Sequence, residues 1–166
     1  MTPVLKHLGL ALVFLLAAAA QAASEPPYGT WLTQDGESHI QFEQCGEAIC
    51  GRIVWMREAY DEQGRPWTDR KNPDPGLRDR PLMGLPIFYD FAPAGYDDDG
   101  DEVWEGKVYN PRSGDVHDAY ITVVEPMTLK VEGCGLAGLI CRTQHWSKVD
   151  DSRGGAVSVL PPSRIN

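Results

Sequence analysis

The 166-residue sequence has no excess of basic side chains, no sustained helical periodicity, no G-x-S-x-G turn and no apolar run of the about 20 residues that a membrane-spanning helix needs. Each absence excludes a class. Fifteen Lys and Arg against 24 Asp and Glu give a formal net charge of −9, and such a chain is repelled by nucleic acid and by anionic lipid surfaces. Missing helical periodicity removes bundles and leaves strands to build the core. Without the serine turn the nucleophile of an α/β-hydrolase has no place, and no other catalytic constellation stands out among the histidines that follow the leader, His39, His117 and His145. His117 and Asp118 are neighbours in sequence, yet on a strand they point to opposite faces. No cofactor motif is found, and the reading leans away from an enzyme.

What is present begins with an export signal. Lys6 precedes an apolar stretch from Leu8 to Ala20, and Ala20-Gln21-Ala22 supplies the small-x-small pattern of a cleavage site. The expectation is a signal peptide over 1–22, cleaved after Ala22, and a periplasmic or secreted mature protein. No cysteine follows the site to carry a lipid, and no twin arginine precedes it. Loss of Lys6 leaves 14 basic against 24 acidic side chains, a formal −10. The remainder fits one domain over 23–149, followed by a poorly ordered tail over 150–166 that carries Gly154-Gly155 and Pro161-Pro162.

Cys45, Cys50, Cys134 and Cys141 are an even set in an oxidising compartment, so disulfides are expected. Of the three possible pairings, 45 with 50 and 134 with 141 is favoured, because each short interval reads as a turn between two strands. Zinc is the alternative, but C-x4-C and C-x6-C miss the usual knuckle spacing.

Short alternating segments rich in β-branched and aromatic residues recur between Gly, Pro, Asn and Asp clusters. They predict eight strands, near 29–33, 38–44, 51–56, 84–91, 102–110, 116–124, 128–133 and 140–149. Most connections are short, which makes sequential antiparallel pairing the economical topology; such strands form a sandwich or close into a barrel, and closure is favoured because it removes the exposed edges. The expected fold is all-β, an eight-stranded antiparallel up-and-down barrel with one long loop over 57–83. A second connection ends in Asp97-Asp98-Asp99-Gly100-Asp101, read as a solvated hairpin tip; the acids do not follow the D-x-D-x-D-G order of a calcium loop.

Alternate positions give an inward face of Trp31, Ile40, Phe42, Ile53, Trp55, Leu85, Ile87, Tyr89, Trp104, Val108, Ile121, Val123, Leu129, Val131 and Trp146. A barrel of eight strands is wide enough either to be filled by such side chains or to hold one small ligand. From this face Trp31, Phe42, Trp55, Tyr89 and Trp104 are taken as candidate ligand contacts. The long loop adds Asn72, Arg78 and Arg80, whose forked donors either pin the loop to the barrel or recognise an anion at its mouth.

The run from Asp69 to Leu85, with Cys45 to Trp55, Trp104 to Pro111 and Gly133 to Trp146, resembles a family of uncharacterised exported bacterial proteins known only as a domain of unknown function. The resemblance implies a lipocalin-like (calycin-type) barrel, and Gly29-Thr30-Trp31 is similar to the G-x-W opening of lipocalins. By the same resemblance, Arg142 is the late basic residue that would cover Trp31. The implied function is binding or carrying a small hydrophobic or amphipathic ligand. The alternative is a filled barrel that meets a protein partner in the cell envelope.

Overall fold

The computed structural model describes residues 25–135 and 138–149. The expected leader over 1–22 and the expected tail over 150–166 lie outside them. Eight strands follow in order: β1 Gly29–Leu32, β2 Ser38–Cys45, β3 Ala48–Met56, β4 Pro86–Tyr96, β5 Glu102–Asn110, β6 Asp115–Glu125, β7 Thr128–Gly135 and β8 Ile140–Lys148. Each pairs antiparallel with the next, and β8 returns to β1 to close the barrel. The expected topology is therefore the observed one. The largest boundary difference is β4, which runs on to Tyr96 through irregular pairing on either side of Pro93. Bulges of this kind let a strand carry proline without ending.

Antiparallel order sorts the connections between two ends. The β2–β3, β4–β5 and β6–β7 turns lie at one end with residues 25–28; the β1–β2 turn, the 57–85 loop, and the β5–β6 and β7–β8 turns lie at the other. The first end is closed. Phe42, Phe88 and Trp146 meet edge-on or tilted, with ring centroids 4.9 Å apart for Phe42 and Phe88 and 5.7 Å for Phe88 and Trp146. Trp31, Ile40, Phe91, Trp104, Ile121 and Leu129 fill the space around them. Inward glycines make this possible: a Cβ at Gly106 would come within 2.5 Å of the Phe91 ring, and one at Gly51 within 2.8 Å of Phe42. Trp31 Nε1 donates to the Pro27 carbonyl at 2.9 Å, satisfying the buried indole.

Two bulges revise the expected inward face. Ile40 pairs with Ile53 but His39 pairs with Trp55, so one extra β3 residue lies between the two pairs and the alternation flips. Trp55 consequently sits outside, 40% exposed, its ring 4.4 Å from that of His39. On β4 Asp90 adopts φ 58°, and the register shifts between Tyr89 and Ala92. Phe88 and Phe91 point inward as a result, while Tyr89 pairs with Lys107 on the outer face. The covering of Trp31 is also corrected. Lys148, opposite Trp31 in the β1–β8 register, places its ammonium 5.3 Å from the ring, whereas Arg142 lies six residues back along β8 at the open end.

Both favoured disulfides, Cys45–Cys50 and Cys134–Cys141, are formed. Each ties the two strands of one hairpin. With all four sulfurs bonded to one another, the cluster of Glu132, Cys134 and Cys141 offers no thiolate to a metal.

Candidate functional site

The 57–85 loop is held by one buried network. Asp69 has no exposed surface, and a carboxylate there needs partners to offset its lost hydration. It receives Tyr109 Oη at 2.6 Å from β5, Asn72 Nδ2 at 2.8 Å, and Arg80 Nε and a terminal guanidinium nitrogen at 2.9 and 2.8 Å. Arg78 Nε donates to the Asn72 carbonyl at 2.8 Å. Burial raises the Asp69 pKa, but the bonds from Tyr109, Asn72 and Arg80 and the Arg80 charge outweigh it, holding the carboxyl below its ordinary value. Burial, the bond to Asp69 and its charge push the Tyr109 phenol upward. Both polar atoms of the Asn72 side chain, and two of the three guanidinium nitrogens of Arg80, are thus turned toward Asp69, Tyr109 or the loop backbone. The loop residues form a clamp.

Two of the concavities at the open end border the barrel strands. One, of about 670 Å³, runs between Glu37 and Ser38 of the β1–β2 region, Trp67, Arg70 and Lys71 of the loop, and Arg112 of the β5–β6 turn. It carries both signs of charge. The other, of about 460 Å³, is the interior itself, floored by Phe88 and Trp146, with Val108 and Val131 on its sides. Its size falls within the range of small-molecule sites.

The interior cavity exists because the inward positions of β7 shrink along the strand. Leu129 and Val131 are followed by Gly133 and Gly135. A Cβ at Gly133 would meet only a Val108 methyl at 4.0 Å, and one at Gly135 would lie 3.6 Å from His117 Nδ1. Opposite them β8 presents Trp146, Gln144, Arg142 and Ile140. Trp146 Nε1 donates to Gln144 Oε1 at 2.7 Å, so the Gln144 carbonyl is engaged and its NH₂ is the group it offers the cavity. Asn110 and His117 complete a polar rim above the aromatic floor. Asp118, as alternation requires, turns outward and pairs with Lys107.

None of the eight contacts expected from sequence lines this cavity. Trp31, Phe42 and Trp104 are packed into the closed end, Trp55 and Tyr89 are outside, and Asn72, Arg78 and Arg80 belong to the clamp. Val108, Val131 and Trp146 were placed on the inward face and do line it. Asn110, Arg142 and Gln144 were missed, although they share the inward parity of their strands; a polar residue on an otherwise apolar face was the available signal. The Asp97 turn is built around its own backbone: the Asp97 carboxylate accepts the amides of Asp99 and Asp101 at 3.1 and 3.0 Å and Lys130 Nζ at 2.7 Å. Those bonds, led by the one from Lys130, lower the Asp97 pKa.

A closed eight-stranded antiparallel barrel with a tryptophan at its base is a lipocalin-like fold. Residues 29–148 match the family model described as "Uncharacterized protein conserved in bacteria (DUF2147)", and the chain belongs to that family. A solved structure, protein HP1028 from the human pathogen Helicobacter pylori, described as belonging to the lipocalin family, is similar at 18% identity and a TM-score of 0.63 over 78% of this chain and 86% of that one. At that identity the likeness is one of fold. No curated protein matches the chain.

Proposed function

We propose that this protein is an exported, periplasmic carrier that holds a small hydrophobic or amphipathic ligand in the cavity between β4 and β8. The observation that supports the reading is the change along the barrel from a solid aromatic core to an interior of 460 Å³ with an apolar floor and a polar rim. Export is supported by the leader pattern over 1–22 and by two disulfides, which persist in oxidising compartments. Native mass spectrometry of the mature protein, purified from its own cells, is the direct test. A bound small molecule displaced by Gly133→Leu is the expected result; no adduct, together with no binding across a panel of lipophiles, would sink the reading.

A second reading, an interaction module of the cell envelope, draws on exposed apolar side chains beside the open end. Leu139 at the β7–β8 turn is 84% exposed, and Ile140 and Val116 are also exposed. Crosslinking in cells from residue 139, with and without Leu139→Ser, would recover a specific partner under this reading and none under the first.

A further inference from the structure

Arg142 occupies an unusual position for a cation in a protein with a formal balance of −10 after removal of the leader. It stands at an inward position of β8, paired across the ladder with Gly133, whose missing side chain leaves the space in front of it open. It makes no ion pair with any described residue. No Asp or Glu lines the cavity, so Arg142 is the one formal charge among its lining residues. Of the other cations on the strands, Lys107, Lys130 and Arg52 each pair with a carboxylate, and Lys148 lies over the Trp31 ring. Beside Arg142, Gln144 offers its amide NH₂, and His117 and Asn110 add side chains able to donate across the rim.

We propose that the ligand is an apolar monocarboxylate, with its tail on Phe88, Val131 and Trp146 and its carboxylate on the Arg142 guanidinium. This inference rests on the carrier reading and assigns the ligand's chemical class. The guanidinium presents a planar fork that matches the two oxygens of a carboxylate, and charge-assisted bonds of this type are the strong ones. The cavity, at the smaller end of ligand sites, suits a single chain or ring and excludes a two-chain lipid. The structural alternative is that Arg142, at the open rim, carries its charge into water and contributes only solubility.

The test is isothermal titration calorimetry at pH 7.5 with decanoate and with decanol, which share a tail and differ in the charged head. The mature protein, Arg142→Gln and Gly133→Leu are compared, each shown by circular dichroism to be folded. Arg142 is exposed and Gly133 has room for a side chain, so both variants are expected to fold. Decanoate should bind the parent protein more tightly than decanol, and Arg142→Gln should lose about tenfold to a hundredfold for decanoate with decanol unchanged. Gly133→Leu should abolish both. Equal affinity for the two ligands, unaltered by Arg142→Gln, would overturn the carboxylate assignment and leave the carrier intact. Failure of decanoate to bind the parent protein would overturn this inference, whereas the carrier reading falls only if native mass spectrometry and the lipophile panel are negative as well.

Discussion

The two halves of this barrel are built from the same strands and differ in what those strands send inward. Toward the closed end β7 contributes Leu129 and Val131, and β8 contributes Trp146; toward the open end the same strands contribute Gly133, Gly135, Arg142 and Gln144. The backbone hydrogen bonding is continuous between them, with each β7 residue from Thr128 to Gly135 paired to β8. Side-chain volume alone decides where the barrel is solid and where it is hollow. A single fold can thus keep its stability in one half and leave the other free for binding, because an eight-stranded barrel is only just wide enough to need filling.

The sharpest way to break the comparison is to hollow the solid half. Phe88→Ala removes the ring at the centre of the Phe42, Phe91 and Trp146 contacts and should cost about 4 kcal/mol, measured by urea unfolding. A loss below about 1 kcal/mol would mean that the aromatic floor is not the stabilising core. Next in size is the clamp. Asp69→Asn should cost about 3 kcal/mol, because Arg80 is left without its counter-charge beside a buried site.

The same residue sets a pH dependence. Its folded pKa lies below the ordinary carboxyl value of 3.8, so the unfolded chain takes up the proton first as pH falls. The stabilisation is therefore fully present above pH 3.8 and is lost as pH drops through the lower folded value. Acid unfolding curves should be steeper for the parent protein than for Asp69→Asn over that interval; parallel curves would remove Asp69 from the account. A smaller effect belongs to the base of the barrel. Lys148→Met should cost about 0.5–1 kcal/mol by removing the cation over Trp31, with a change in tryptophan fluorescence. The smallest stability change is expected from filling the hollow half: Gly133→Leu should shift unfolding by less than about 0.5 kcal/mol. A large loss there would show that the open half is as tightly packed as the closed one.

Much of this architecture was legible in the chain. Alternation marked all eight strands, short polar connections marked sequential pairing, and the two close cysteine pairs marked the hairpins they staple. The candidate site was legible only where alternation ran undisturbed: Val108, Val131 and Trp146 follow the simple parity and line the cavity, while Trp55 and Tyr89 each follow a register shift, the latter between β3 and β4 at Pro86 to Phe88, and turn out. A bulge inserts one residue and inverts every side chain after it, and its cost is set by cross-strand pairing that no single segment carries. The loop was legible in composition, and of the two roles its donors suggested the structure shows the pinning of the loop to the barrel. Asn72 and Arg80 have the donors that bind anions, and the anion they bind is Asp69 of the same loop.

By itself, then, the order of residues determined the number of strands and their antiparallel succession, since these rest on local periodicity and on connections that, the 57–85 loop apart, are short. Only the tertiary structure decided which aromatics reach the core, that Lys148 and not Arg142 covers Trp31, and that Arg142 faces an open interior. Those outcomes depend on registers between strands distant in sequence, where a shift of one residue exchanges inside for outside.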